Sequence, residues 1–211
     1  KATNLFKDTQ KTVTKVFFLY IFLTGLIFIL FTISGIRLFN SFNLAMTISS
    51  TGAFLPTNEL SEIIKYPSQK ILLTFAVTFS ALNIYFFFSL FKNVNTNKKH
   101  QEDFFILIAI FAFSIMLFFS IKNSSFLDVL FNVVSSLSNS GLVFDSPPKN
   151  FYLFFIFLTI IGGSAISNSS GIKFLRLYIL FKSTVFEIFR LVSPNVIIDQ
   201  RILKTDHKIN N

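Results

Sequence analysis

The sequence has no cysteine, no tryptophan, two histidines, and charge on only 14% of its 211 residues. Each scarcity excludes something. Without cysteine there are no disulfides and no thiolate metal ligands, and the compartment is left open. His100 and His207 sit in polar segments without neighbouring ligands, which fits a surface position better than a metal site. There is no Ser/His/Asp set, no pair of membrane carboxylates and no phosphate-binding loop, so the chain is not read as an enzyme and no cofactor is expected. A soluble domain carries about a quarter charged residues. This chain has too few to coat a water-facing surface, while 52% of it is hydrophobic and 32 residues are Phe.

The hydrophobicity is concentrated. Residues 16–36, 71–91, 104–121 and 150–172 are free of Asp, Glu, Lys, Arg and His. A membrane-spanning helix needs about 20 such residues, so four crossings are predicted, the last with an interrupted second half. The alternative, buried helices of a large soluble protein, lacks the charge to make a surface.

Net charge is +9, and its placement points away from nucleic acid. Fourteen of the nineteen Lys and Arg residues fall in the N-terminal flank, the central loop and the C-terminal part. Excess basic residues mark the cytoplasmic side. Both termini and the central loop are therefore expected in the cytoplasm, in a multi-pass protein of a bacterial-type inner membrane. The first residue is Lys, and no signal-peptide cleavage pattern precedes the first apolar run. The N-terminus is thus either processed or internal to a longer chain.

The two outward connections are not simple loops. Residues 39–48 and 126–137 are apolar pieces too short to cross a bilayer and long enough for re-entrant half-helices. Each leads into a hydroxyl-rich turn around one glycine: Ser49-Ser50-Thr51-Gly52-Ala53-Phe54 and Ser138-Asn139-Ser140-Gly141-Leu142. Superimposing Gly52 on Gly141, a shift of 89, aligns Phe42-Asn43 with Phe131-Asn132 and Ser49 with Ser138. The order of span, half-helix, hydroxyl–glycine turn and span is therefore an internal repeat.

Irregular backbone at membrane depth is tolerated where it lines a cavity or is buried in protein. A half-helix entering from outside points its negative end inward and favours a cation there. Carbonyl oxygens after it can replace a cation's hydration shell. Ser50, Thr51, Gly52 and Ala53, with Asn139, Ser140, Gly141 and Leu142, are the candidate selectivity filter. In it Gly52 or Gly141 permits the backbone angles that turn a carbonyl inward, and hydroxyls of Ser50, Thr51 and Ser140 add neutral ligands. An ordinary turn is the alternative for each glycine. The absence of carboxylates suits K⁺ or Na⁺ better than Ca²⁺ or Mg²⁺. K⁺ at filter carbonyls, with no side-chain metal site, is the expected occupancy.

The fourth run breaks at Gly162 and Gly163 and continues through Ser164, Ser167, Asn168, Ser169, Ser170 and Gly171 to Lys173. A break in mid-membrane implies a cavity where a gate would sit. Close packing through small residues would explain Gly162-Gly163 and fits the serines poorly.

Residues 126–135, the turn at Gly141, Ile161-Gly162-Gly163-Ser164-Ala165 and Gly171-Ile172-Lys173, in that order, resemble the third repeat of the Trk/Ktr/HKT potassium transporters, closest to the TrkH type. Residues 48–54 and Ser80-Ala81-Leu82-Asn83 resemble the second repeat. Ser193-Pro194-Asn195 also looks like that family. The resemblance implies an all-α integral membrane fold of two helix–pore helix–helix repeats with re-entrant filter loops, half of a four-repeat pseudo-fourfold pore. It implies that residues 162–171 are the gating loop, and that a cytoplasmic nucleotide-binding regulatory subunit is a possible partner. Three departures stand out. Ile166, Ser169 and Ser170 replace glycines of the family's gating loop. The second filter has Asn139-Ser140-Gly141-Leu142 where Thr-Thr-Gly-Phe is more usual. Two re-entrant segments cannot surround an ion, so the chain is either a fragment or pairs with a second copy.

The expected organisation is a basic cytoplasmic flank at 1–15, a first unit at 16–91, a cytoplasmic loop at 92–103, a second unit at 104–172, and an amphipathic helix with tail at 173–211. That helix reads as interfacial on the inner leaflet, with docking of a partner as the alternative. Lys173 either snorkels or hinders cations at the gate. Asp128 favours the positive end of the second half-helix dipole, with cation attraction secondary. Asn83 is read as an interhelical hydrogen-bonding group. The competing reading of the whole is a non-conducting membrane assembly subunit whose short outer helices lie at the interface.

Overall fold

The computed structural model describes residues 2–83, 101–121, 124–144 and 148–192. Most of the central loop, His100, His207 and Ser193-Pro194-Asn195 lie outside the described residues.

Helix α1 (Ala2–Ile33) carries the first apolar run. It stops where Gly35 takes φ +87°. Ile36 N–H donates to the Phe31 carbonyl and Gly35 N–H to that of Thr32, the pair of bonds that closes a helix at a left-handed glycine. Phe31 and Ile36 are both buried there, so the chain reverses directly into α2 (Leu38–Ser49). Twelve residues at about 1.5 Å each give roughly 18 Å, short of the ~30 Å hydrocarbon core. A single-turn helix α3 (Leu60–Ile63) follows.

Helix α4 (Pro67–Ala81) starts on a proline, with the Gln69 side chain accepting from the Lys65 and Tyr66 N–H groups. Both devices satisfy or remove the orphan donors of a helix start. The second apolar run is not one continuous helix through residue 91. It ends at Ala81, and Leu82 is extended at φ −88°, ψ 166°. At that end Ala81 O accepts from Ser164 N–H, a residue far along the chain, at 2.9 Å. Residues 84–91 lie outside the described residues.

The second half repeats the order. Helix α5 (Gln101–Ser120) precedes α6 (Phe126–Ser138), a second short helix. A 3₁₀ turn (Lys149–Phe151) leads to α7 (Tyr152–Ile160), where the fourth run stops being helical. Strand β1 (Ile161–Gly162) then pairs in parallel with β2 (Ile172–Lys173), Ile161 opposite Ile172 and Gly162 opposite Lys173. The pair pinches off residues 163–171 as a closed loop. Helix α8 (Phe174–Val192) leaves from it.

The short helices are the core. α2 packs on α1 and α4, and α6 packs on α4, α5 and α7. Leu44 and Ile48 of α2 and Phe131, Val133 and Val134 of α6 are fully buried. The long helices are inside out by comparison. The apolar stretches Val13–Ile33 and Glu102–Ser120 are long enough to cross a bilayer, yet only 17% and 28% of each is buried. Phe17, Phe18, Phe22, Ile108 and Phe111 all face outward. Apolar helices that are exposed all along one side need lipid there. The chain is a membrane protein.

Candidate functional site

The two short helices end in turns of the same construction. In the first, Gly52 N–H donates to Thr47 O at 2.8 Å, Thr51 has φ 52°, and the Thr47 hydroxyl donates to Phe54 O at 2.6 Å. In the second, Ser140 N–H donates to Ser135 O at 3.0 Å, Asn139 has φ 59°, and the Ser135 hydroxyl donates to Leu142 O at 2.6 Å. Thr47 and Ser135, Thr51 and Asn139, Phe54 and Leu142, and the helix starts Leu38 and Phe126 are all 88 apart. The register is therefore 88, one less than the shift obtained by matching glycines. Gly52 corresponds to Ser140, and Gly141 corresponds to Ala53.

That slip changes what each residue does. Gly52 is not left-handed; Thr51 takes that conformation at the first turn, while Asn139 and Gly141 (φ 67°) take it at the second. Leu142 lies one position past the equivalent of Ala53. Its side chain is buried and its carbonyl is capped by Ser135, so it belongs to the strap beneath the turn and not to an open row of oxygens. The hydroxyls also have structural uses. Ser50 Oγ donates to Met46 O at 2.8 Å, Thr51 Oγ1 to Ser50 O at 2.7 Å, and buried Ser140 Oγ lies 3.0 Å from Ser135 Oγ. The turns touch: a Cβ added to Gly141 would stand 3.1 Å from the Ala53 Cβ.

The loop at 163–171 lies against both turns. Asn168 Nδ2 donates to Ser49 O at 2.8 Å, and Thr51 Oγ1 donates to Asn168 O at 3.3 Å. A Cβ on Gly171 (φ 81°) would sit 3.1 Å from Asn139 Nδ2. The glycines are there for close approach. A Cβ on Gly162 would lie 2.1 Å from Ser170 O, and one on Gly163 2.2 Å from Ala81 O; neither leaves room for a side chain. Ser169 Oγ accepts from Gly163 N–H at 2.8 Å and lies 2.8 Å from Ser167 Oγ. Ser164 is fully buried, and its Oγ and Asn139 Nδ2 lack partners. Ile166 is half exposed.

Lys173 neither snorkels nor hangs free. Its Nζ turns into the loop and donates to Ser167 O at 3.0 Å, to Ser167 Oγ at 3.1 Å and to Ser169 O. Glu102 was invisible to motif reading. Its Oε1 accepts from Ala165 N–H, within the loop, at 2.9 Å and from Leu175 N–H, just past it, at 3.1 Å. Next to it, buried Asp103 accepts from Asn83 N–H at 2.9 Å, so the link from Asn83, just past the end of α4, to α5 is made by its backbone. The signal was an acidic pair opening an apolar run. Two more contacts escaped notice. Tyr20 OH reaches Ser49 Oγ at 3.3 Å. Lys70 Nζ pairs with Asp128 at 2.7 Å, beneath the Ser125 cap of α6 and 4.5 Å from the centre of the Phe144 ring. Asp128 thus joins the two halves as well as opening its helix. Among the described residues no three His, Cys, Asp or Glu side chains gather as metal ligands.

Two short buried helices end in apposed turns, packed against a loop that ends a third helix. Both a solved structure and a curated sequence are similar to this chain. The crystal structure of the potassium transporter TrkH from Vibrio parahaemolyticus matches at a TM-score of 0.78 with 19% identity, over 92% of this chain and 44% of that one. An uncharacterized cation transporter of Methanocaldococcus jannaschii is 26% identical over 196 residues, 87% of this chain and 38% of the relative. No protein-family model matches the sequence. The fold is TrkH-like, and the chain spans less than half the length of the proteins it matches.

Proposed function

We propose that this chain forms one half of a monovalent-cation path for K⁺ uptake. The observation that carries the reading is the apposition of two left-handed turns, each at the carbonyl end of a buried half-helix, with a closed glycine–serine loop directly against them. The helix ends make the spot electronegative without a formal charge, and backbone oxygens there suit an ion that must enter and leave without tight binding. In this reading residues 50–53 and 138–141 form two sides of a filter, with the carbonyls ahead of the Ser135 and Thr47 straps as ligands. The loop between β1 and β2 is the gate, on the cytoplasmic side. Closing the ring falls to further sequence of the same transporter or to a second copy.

The test is K⁺-uptake rescue by the complete protein. Gly141→Asp puts a charged Cβ-bearing residue at a left-handed position 3.1 Å from Ala53, and uptake is expected to be lost at normal abundance. Unchanged uptake sinks the filter assignment.

A further inference from the structure

The structure assigns Asn168 as a positioning residue that ties the gate to the first filter turn. The inference rests on the filter-and-gate reading above and deepens it. Asn168 is bonded twice to the end of α2, and the two bonds run in opposite directions. Its side-chain amide donates to Ser49 O at 2.8 Å, and its own carbonyl, 3.3 Å from Thr51 Oγ1, shares that hydroxyl's single proton with Ser50 O at 2.7 Å. They bracket Ser50. Thr51, between the bonded atoms and the rest of the turn, is a β-branched residue at φ 52°, a conformation such residues avoid and keep only where the surroundings enforce it. The enforcing groups are the helix end behind it and Asn168 in front.

The loop itself is held independently of that contact. Gly163 N–H is bonded to Ser169 Oγ, Ser164 N–H to Ala81 O, and the Lys173 ammonium to Ser167. The loop is therefore a stiff body, and Asn168 is its point of attachment to the first turn. The second turn differs. Gly171 abuts Asn139, yet Asn139 Nδ2 is buried without a partner. A displacement of the loop away from the turns must break both Asn168 bonds or carry residues 49–51 with it. Gate position and the geometry of the first row of carbonyls are thereby linked, and the link is asymmetric between the two turns.

A coupling of this kind shows in ion discrimination, which a purely structural residue does not move. The measurement is Rb⁺ and Na⁺ uptake into proteoliposomes holding the full-length protein, normalised to protein amount. Asn168→Ala removes the amide donor, Thr51→Val removes the hydroxyl at constant shape, and the double variant removes both. Loss of one such bond is expected to change the Rb⁺/Na⁺ uptake ratio roughly two- to tenfold toward Na⁺. The double variant should add little beyond the larger single effect, because both bonds serve one contact. If Asn168→Ala fails to accumulate, the near-isosteric Asn168→Asp, which also removes the amide donor, carries the same expectation and is read in its place. An unchanged ratio in Thr51→Val and in the accumulating Asn168 variant, with Gly141→Asp abolishing uptake, overturns the coupling and leaves the filter reading standing. An active Gly141→Asp removes the filter reading and the coupling with it.

Discussion

The two turns after α2 and α6 share their helix-end hydrogen bonds and a left-handed residue, Thr51 or Asn139. They differ in sequence and at one backbone position, where Gly141 is left-handed and its counterpart Ala53 is not. The first uses Thr-Gly-Ala where the second uses Asn-Ser-Gly. What they share is the helix end and a hydroxyl one turn back, Thr47 or Ser135, that reaches forward seven positions to a carbonyl. The conformation is therefore set by the hydrogen bonds of the helix terminus and its strap, with glycine position secondary. They also differ at their entrances. α6 is capped by Ser125 and anchored by the Lys70–Asp128 pair, whereas α2 begins at Arg37 with no side-chain cap.

The comparison can be broken most severely at the loop both turns rest on. Gly163→Ala would bring a Cβ to 2.2 Å from the Ala81 carbonyl, a backbone atom that cannot step aside. A cost of about 3 kcal/mol or more is expected, read as loss of folded, detergent-extractable protein; a normal yield would contradict the loop packing. The next effect falls on the straps. Thr47→Val and Ser135→Ala each leave a carbonyl without its hydroxyl, at about 1–2 kcal/mol. Ser135 should cost more, because its hydroxyl also meets buried Ser140. Thermal unfolding midpoints of the two variants in the full-length protein rank them, and equal values would show that Ser140 draws nothing from Ser135. The smallest effect is at the entrances. Ser125→Ala should lose about 1 kcal/mol of capping, and Arg37→Asp should gain several tenths to 1 kcal/mol by supplying a missing cap. If both substitutions destabilise equally, the helix starts are not the asymmetry they look to be.

Much of this was legible in the chain. Four charge-free runs were read as crossings, and two of them, the first and the third, are helices long enough to cross a bilayer; the two shorter apolar pieces are α2 and α6. The glycine–serine run marked where α7 ends, because small and hydroxylated residues neither fill a helix face nor hold a helix through two adjacent glycines. The register of the two turns was not legible. Glycines are conspicuous, so they attract alignment, but Thr51 occupies the left-handed position that a glycine would have taken. The single-residue slip from 89 to 88 follows from a hydrogen-bond pattern that residue types do not encode. The premature end of α4 at Ala81 was equally hidden; the partner of its last carbonyl is Ser164, more than eighty positions away.

The sequence by itself determined that this is an apolar, helical membrane chain, with two short helices between longer apolar runs and a last run that stops being helical. These are consequences of local composition and length. The tertiary structure alone decided how those pieces are joined. It put Lys173 against the carbonyls of its own loop instead of at a lipid headgroup, bound the loop and the start of α8 to Glu102, and fixed Asn168 to the first turn. Each of these depends on a polar group finding its partner far along the chain. In surroundings where an unpaired polar group is costly, it is that pairing, and no local preference, that sets the geometry.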